Sequence, residues 1–165
     1  MPVLGFIDST IRALDDHAAD VLALSVFSDE QPLEGITGLV DWRLRGTLSR
    51  WFITGFASGR WGERVLYPVR NFLSYRSLVV FGLGRRADHR ADRALAVAHS
   101  AVETAKGLGA RTLTCGLFGL DTLPSPFQRT GRQLMALFGE YENLDAVTLV
   151  AGPEEQRVLL DGMES

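Results

Sequence analysis

Two glycine-rich segments have the composition of loops that bind phosphate. In the first, Gly82, Gly84 and Ala87 form a GxGxxA pattern after an apolar segment and before a helical pattern. Glycines allow a phosphate to approach the backbone, the following helix offers free N–H groups, and Arg85 can pair with a phosphate. The same pattern also fits a simple turn from strand to helix, and it lacks the acidic residue that dinucleotide-binding sites place further along the chain.

The second glycine-rich segment consists of Gly116, Leu117, Phe118 and Gly119, and it also follows an apolar segment. Ligands of α/β sheets gather at the carboxyl ends of the strands, where both glycine segments are expected. One hypothesis is therefore that the two segments form a single ligand-binding cleft. The alternative is that the glycines only turn the chain while Phe118 packs in the core.

Side chains suited to catalysis or metal binding are sparse. His17, His89 and His99 do not have the spacing of a metal-binding motif, and we interpret all three as solvated surface residues. Cys115 is the one cysteine and lies in an apolar segment. It is interpreted as a small buried hydrophobe rather than a nucleophile. The sequence thus predicts no catalytic residue, no metal ligand and no cofactor.

The elements that must position the glycine segments follow from the apolar pattern. Six short, nearly continuous apolar segments predict strands that are covered on both faces. They begin near Leu4, Val21, Arg64, Ser77, Arg111 and Asp145. Helical patterns alternate with them, so we predict a three-layer α/β/α sandwich with a mixed, mostly parallel sheet of about six strands.

Four helices are predicted between and after these strands. Two of them span residues 33–54 and 91–108, where apolar residues recur every three or four positions. Another begins at Ser125, because Ser125 and Pro126 suit the N-cap and the first turn of a helix. The last begins at Pro153.

The composition is that of a globular protein. The chain has 165 residues, and we expect one domain over its whole length, since domains average about 150 residues. Lys+Arg 17 against Asp+Glu 20 gives a net charge of −3, which disfavours nucleic acid and anionic membranes as partners. Neither a secretory signal nor an apolar run of roughly 18 residues is present, and we expect a cytoplasmic location.

Two stretches together match the motif order of a known family. The first is ADVLALSVFSDEQPLEGITGLVDWRLRG from Ala19, and the second leads from RVLYPV through SLVVFGLGRR to RTLTCGLFG. Their order resembles the N-terminal domain of the leucyl aminopeptidase family, in which a VFxD-like strand end precedes a PL-containing turn, a long helix and a VVFGLG-type strand. The resemblance covers residues 20–152 and implies a macrodomain-like fold.

The resemblance implies an interaction function rather than catalysis. The peptidase chemistry of that family belongs to a separate C-terminal domain with two metal ions, so this stand-alone copy is not expected to hydrolyse peptides. The N-terminal domain is a non-catalytic part of a hexamer in that family. The first hypothesis is therefore a non-catalytic interaction or regulatory module that works by self-association or by binding a protein partner.

True macrodomains, which bind ADP-ribose, are a more distant resemblance. The segment from Gly116 to Gly119 resembles their phosphate-binding GxFG loop at the corresponding strand end. This resemblance implies the alternative hypothesis, a module that binds ADP-ribose or a nucleotide phosphate. The asparagine-containing segment of macrodomains is replaced here by Leu24-Ser25-Val26-Phe27, which argues against an ADP-ribose-processing enzyme.

Overall fold

A six-stranded sheet lies at the centre of the structure, a computed structural model that describes residues 1–124 and 127–164. In chain order the strands are β1 (Val3–Ile7), β2 (Ala19–Val26), β3 (Arg64–Pro68), β4 (Tyr75–Gly82), β5 (Thr112–Cys115) and β6 (Ala146–Val150). Their order across the sheet is β1-β6-β5-β2-β4-β3, and every pair is parallel except β3 with β4. The predicted mixed, mostly parallel sheet is confirmed.

Helices cover both faces of this sheet. Within the described ranges they are α1 (Ile11–Asp16), α2 (Gly35–Arg43), α3 (Thr47–Thr54), α4 (Ala91–Gly107), α5 (Phe127–Gly139) and α6 (Pro153–Glu164). Alternate residues of β2 point to opposite faces. Val21 and Ala23 pack with α4, α5 and α6, whereas Leu22 and Leu24 pack with α1, α2 and α3. The two cores confirm the predicted three layers.

The prediction of one helix over residues 33–54 is wrong, because the structure divides this segment into α2 and α3. Arg45 and Gly46 adopt the left-handed conformation, with φ of 58° and 77°, and this ends the first helix. The buried carboxylate of Asp41 then accepts the backbone N–H of Leu48 at 2.7 Å. A side chain of α2 therefore caps the first turn of α3, and the segment forms two helices instead of one.

The other predicted helices agree with the structure to within a few residues. α4 ends one residue before its predicted end, and α6 begins at Pro153 as predicted. The predicted capping residues Ser125 and Pro126 lie outside the described residues, and α5 is described from Phe127. Among the described helices, none is long and apolar enough to cross a membrane.

The parallel register brings the ends of four strands to one edge of the sheet. Ala23 of β2 pairs with Cys115 of β5, Cys115 pairs with Leu149 of β6, and Leu149 pairs with Phe6 of β1. The backbone therefore leaves these four strands side by side at this edge. The loops that follow these strands surround the space beyond that edge, which is where ligands of parallel sheets bind.

Candidate functional site

A cleft of about 270 Å³ opens beyond the carboxyl ends of β1, β2, β5 and β6. The loop after β5, residues 116–119, forms one wall. Residues of the loop after β2, here named the 27–34 loop, and the first turn of α2 form the opposite wall. Ser9 after β1 and Gly152 after β6 line it as well. Leu83 and Arg86, which follow β4, complete the lining, so five separate parts of the chain converge on one cavity.

The 116–119 loop is held by a phenylalanine in an uncommon backbone conformation. Phe118 and Gly119 are both left-handed, with φ of 54° and 78°. The Phe118 ring is fully buried and meets the Phe81 ring edge-on, with 6.3 Å between the ring centres. A left-handed residue other than glycine is energetically unfavourable, so its conformation must be imposed by surrounding contacts. Here burial of the ring imposes it, and the backbone of the loop turns outward to the cleft.

His89 also fixes the 116–119 loop, through a hydrogen bond to its backbone. Its Nε2 lies 3.0 Å from the carbonyl oxygen of Phe118, which can only accept a hydrogen bond, so Nε2 carries the proton. The imidazole is buried, it contacts the Phe27 ring edge-on at 5.1 Å, and burial lowers its pKa. The prediction that His89 is a solvated surface residue is wrong. The neutral ring instead connects both walls of the cleft.

Backbone N–H groups of the two walls are available to a ligand. The helix α2 has no side-chain hydrogen bond at its N-cap, and Gly35, Ile36 and Thr37 of its first turn line the cleft. Among residues 1–124 and 127–164, no acceptor is found for the N–H groups of Leu117 and Phe118. Helix N-termini and left-handed turns with free N–H groups are typical anion sites.

Four carboxylates also line the cleft, and they belong to Glu30, Glu34, Asp121 and Glu155. Glu30 is buried and accepts the N–H groups of Phe27 at 3.4 Å and of Glu34 at 3.0 Å. Burial raises the pKa of Glu30 despite these two bonds. Asp121 is more exposed, yet desolvation at the cleft raises its pKa as well, and the charge of Glu155 raises it further. The cleft therefore contains carboxylate acceptors as well as free N–H donors.

Arg86 is the one basic residue among the described residues that line the cleft. Its guanidinium lies 4.7 Å above the centre of the Phe27 ring, and its Nη2 is 3.5 Å from Oε2 of Glu34. Its backbone N–H donates to Oδ1 of Asp29 at 3.1 Å. The start of the 86–89 segment is thus tied to the 27–34 loop, while His89 at its end is tied to the 116–119 loop.

The predicted site residues separate into two groups. Gly116, Leu117, Phe118 and Gly119 line the cleft, whereas Gly82, Gly84 and Arg85 lie outside its lining. A Cβ atom on Gly82 would lie 2.0 Å from the carbonyl oxygen of Arg60, so this glycine allows two backbone segments to pack closely. Gly84 lies beside Trp61 in the same neighbouring segment as Arg60, and the Arg85 side chain is 71% exposed. The first glycine segment therefore reaches the cleft through Leu83 and Arg86 rather than through its glycines.

Two other residues considered for chemistry, Cys115 and His99, have contacts typical of structural residues. Cys115 is buried at the end of β5, as predicted, and burial raises its thiol pKa. His99 lies on α4, where its Nδ1 is hydrogen-bonded to the hydroxyl of Tyr141. In the described ranges, no three histidine, cysteine or acidic side chains are grouped closely enough to hold a metal ion.

Comparison with known proteins identifies the architecture. No family model matches the chain. A probable cytosol aminopeptidase from Cyanothece sp. is 27% identical over 111 residues, which are 67% of this chain and 22% of that protein. A Trypanosoma brucei macrodomain in complex with ADP-ribose superposes with a TM-score of 0.72 and 16% identity over 97% of this chain and 68% of its own. The chain has a macrodomain-like fold.

The likeness to leucine aminopeptidases is confirmed as well. A tomato leucine aminopeptidase variant superposes with a TM-score of 0.65 and 17% identity over 99% of this chain and 36% of its own. The chain therefore spans about a third of that enzyme and about a fifth of the curated relative. In this macrodomain-like fold, the cleft occupies the edge where the parallel strands end.

Gly119 offers a direct test of how the cleft wall is held. A Cβ atom there would lie 2.7 Å from Nε2 of His89 and 3.0 Å from Cζ of Phe27, at a left-handed φ. We expect Gly119→Ala to lower the free energy of unfolding by about 3 kcal/mol, through backbone strain and overpacking together. The measurement is urea denaturation followed by circular dichroism.

Gly109 is the matched control for this substitution. It is also left-handed, but no atom lies within 4 Å of its Cβ position, so Gly109→Ala tests the backbone strain alone. Its expected cost is about 1 kcal/mol. Equal losses for the two variants would show that His89 and Phe27 do not confine the 116–119 loop.

Proposed function

We propose that the protein is a non-catalytic module that binds ADP-ribose or a related nucleotide phosphate in the cleft. The observation on which this proposal depends is that free N–H groups of α2 and of the 116–119 loop line one cavity. Two such groups of donors on opposite walls suit a diphosphate, which has acceptor oxygens on all sides. The Trypanosoma brucei macrodomain that superposes on this chain is in complex with ADP-ribose.

The carboxylates of the cleft support a ligand with donor groups next to its phosphates. Asp121 and Glu155 accept hydrogen bonds when ionised, and they lie in the lining beside the 116–119 loop and the start of α6. Ribose hydroxyls and an exocyclic amine of a base are donors of this kind. Inorganic phosphate has few such donors and no amine, so the lining favours a nucleotide sugar over phosphate alone.

The apolar residues at the end of β2 support binding without turnover. Leu24 and Phe27 line the cleft, and by the resemblance to macrodomains they replace the polar groups that an ADP-ribose-processing enzyme needs to orient the sugar and its water. Both side chains are buried, with exposures of 0% and 3%, and they have no polar atom. Within this proposal they shape the floor of the cleft and exclude water from the ligand.

Calorimetric titration with ADP-ribose tests the proposal, with ATP and AMP as comparison ligands. We expect a dissociation constant of about 1 µM, equivalent to about −8 kcal/mol. Gly116→Glu should abolish binding, because a Cβ atom there has ordinary contacts with Ile36 and Leu24 and the added carboxylate would project into the cleft. Absence of heat for all three ligands with the unaltered protein would contradict the proposal.

Gly107→Glu is the control for the added charge. Gly107 is the last residue of α4, whose 17 residues extend about 25 Å from the segment beside the cleft, and its Cβ position is open. This variant should bind ADP-ribose with the affinity of the unaltered protein. If Gly107→Glu and Gly116→Glu weaken binding equally, net charge rather than the loop determines affinity.

The acidic lining predicts that ADP-ribose binds more tightly as the pH falls. The pKa values of Glu30 and Asp121 are both raised, so these groups become neutral at a higher pH than ordinary carboxyls. The diphosphate of the ligand stays ionised, and its repulsion by the cleft decreases. Affinity should therefore rise as the pH is lowered from about 7.5 toward the range in which ordinary carboxyls titrate. Asp121→Asn keeps an acceptor oxygen for a ligand hydroxyl but removes the charge, so it should bind more tightly at the upper pH and show a weaker pH dependence. An unchanged profile would contradict this electrostatic account.

Self-association is the second candidate function, and exposed apolar side chains favour it. Trp42 of α2, Ile53 of α3 and Phe56 are 72%, 81% and 65% exposed. Contiguous groups of such side chains are typical of surfaces that contact another protein, and Ile53 and Phe56 lie close together in the sequence. We expect light scattering after size exclusion to show an oligomer that Ile53→Gln and Phe56→Gln dissociate. A monomer at every concentration would contradict this candidate.

A further inference from the structure

We infer that Arg86 is the residue that selects phosphate-containing ligands, by leaving its ion pair with Glu34 to bind the phosphate of the occupant. This inference rests on the proposed function of the cleft, and it assigns a role to a side chain that the glycine patterns do not indicate. The position of the guanidinium, the weakness of its present ion pair and the negative charge of the rest of the lining support this role.

The guanidinium lies between the two groups of N–H donors. It is stacked 4.7 Å above the centre of the Phe27 ring. The Cζ atom of that ring lies 3.0 Å from the Cβ position of Gly119, at the end of the 116–119 loop. On its other side, the guanidinium faces Glu34, the N-cap residue of α2. A phosphate that accepts hydrogen bonds from both walls would therefore lie next to Arg86.

The pair with Glu34 is weak enough to be exchanged. It consists of one contact of 3.5 Å, and the side chains of Arg86 and Glu34 are 41% and 64% exposed. Exposed ion pairs of this kind contribute little to stability, because solvent screens them and the side chains lose rotamer freedom. A phosphate can instead accept two parallel hydrogen bonds from the planar guanidinium. The stack on Phe27 keeps the guanidinium oriented during the exchange.

The negative charge of the cleft lining makes Arg86 decisive for the binding of a phosphate. The lining contains four carboxylates, and Arg86 is its one described basic side chain. Without the guanidinium, a phosphate would face only N–H groups and repelling carboxylates. A neutral nucleoside does not experience this repulsion, so its affinity should not depend on the charge of residue 86. Arg86 would thus determine which ligand class is bound rather than the affinity for every ligand.

Arg86→Gln tests the inference by calorimetry with ADP-ribose, ADP and adenosine as probes. We expect the variant to bind ADP-ribose and ADP about 10-fold to 100-fold more weakly, which is the usual effect of losing a charge-assisted hydrogen bond. Its affinity for adenosine should stay unchanged. Glu34→Gln should bind ADP-ribose several-fold more tightly, since it removes both the competitor for the guanidinium and a repelling charge. This gain should be smaller in the double variant, where no guanidinium can be released.

Arg85→Gln is the matched control, because it removes the same charge from the neighbouring residue, whose side chain lies outside the cleft. It should bind all three probes normally. If Arg86→Gln retains full affinity for ADP-ribose, or loses adenosine binding to the same extent, the inference is wrong while the proposed function stands. If neither the unaltered protein nor any variant binds a probe, the proposed function fails and the inference fails with it.

Discussion

Parallel pairing of β2 with β4 and β5 is the constraint on which the cleft depends. In this register Val26 lies beside Gly82 and β5 ends beside Ala23, so β2 and β4 end together while β5 ends three residues earlier at the same edge of the sheet. Alternate residues of β2 are buried on opposite faces, and a shift by one residue would exchange Leu22 and Leu24 with their neighbours. Burial on both faces therefore fixes the register, and the register fixes the distance between the cleft walls.

The walls are joined by a segment that itself contributes little lining. Residues 86–89 form a short turn whose first backbone N–H is held by Asp29, and whose last residue, His89, is held by the carbonyl oxygen of Phe118. Unpaired polar groups are costly when buried, so the hydrogen bond of His89 constrains both partners. Because the Phe118 ring is packed in the core, this constraint is transmitted from the core to the backbone that faces the ligand.

The sequence predicts the strands better than the site, for a physical reason. Strands covered on both faces must be apolar throughout, so their positions are visible as local runs of residues. The 116–119 loop was predicted for a related reason, since it directly follows such a run. The cap that Asp41 provides for α3, and the burial of His89, depend on residues that meet only after the chain folds. No local pattern distinguishes Arg86, which lines the cleft, from Arg85, which does not.

The cleft contains N–H groups that attract an anion and carboxylates that repel it. The distance of each group from the anion decides which effect is larger. The N–H groups act at hydrogen-bond distance, whereas a carboxylate on the rim acts through partly solvated space, where charge interactions are strongly reduced. Glu30 is the exception because it is buried, yet its two oxygens already accept the N–H groups of Phe27 and Glu34. Its charge is therefore directed into the 27–34 loop, where it stabilises the wall. The rim carboxylates then act mainly on the sugar and base of a ligand, and the phosphates are left to the backbone and to Arg86.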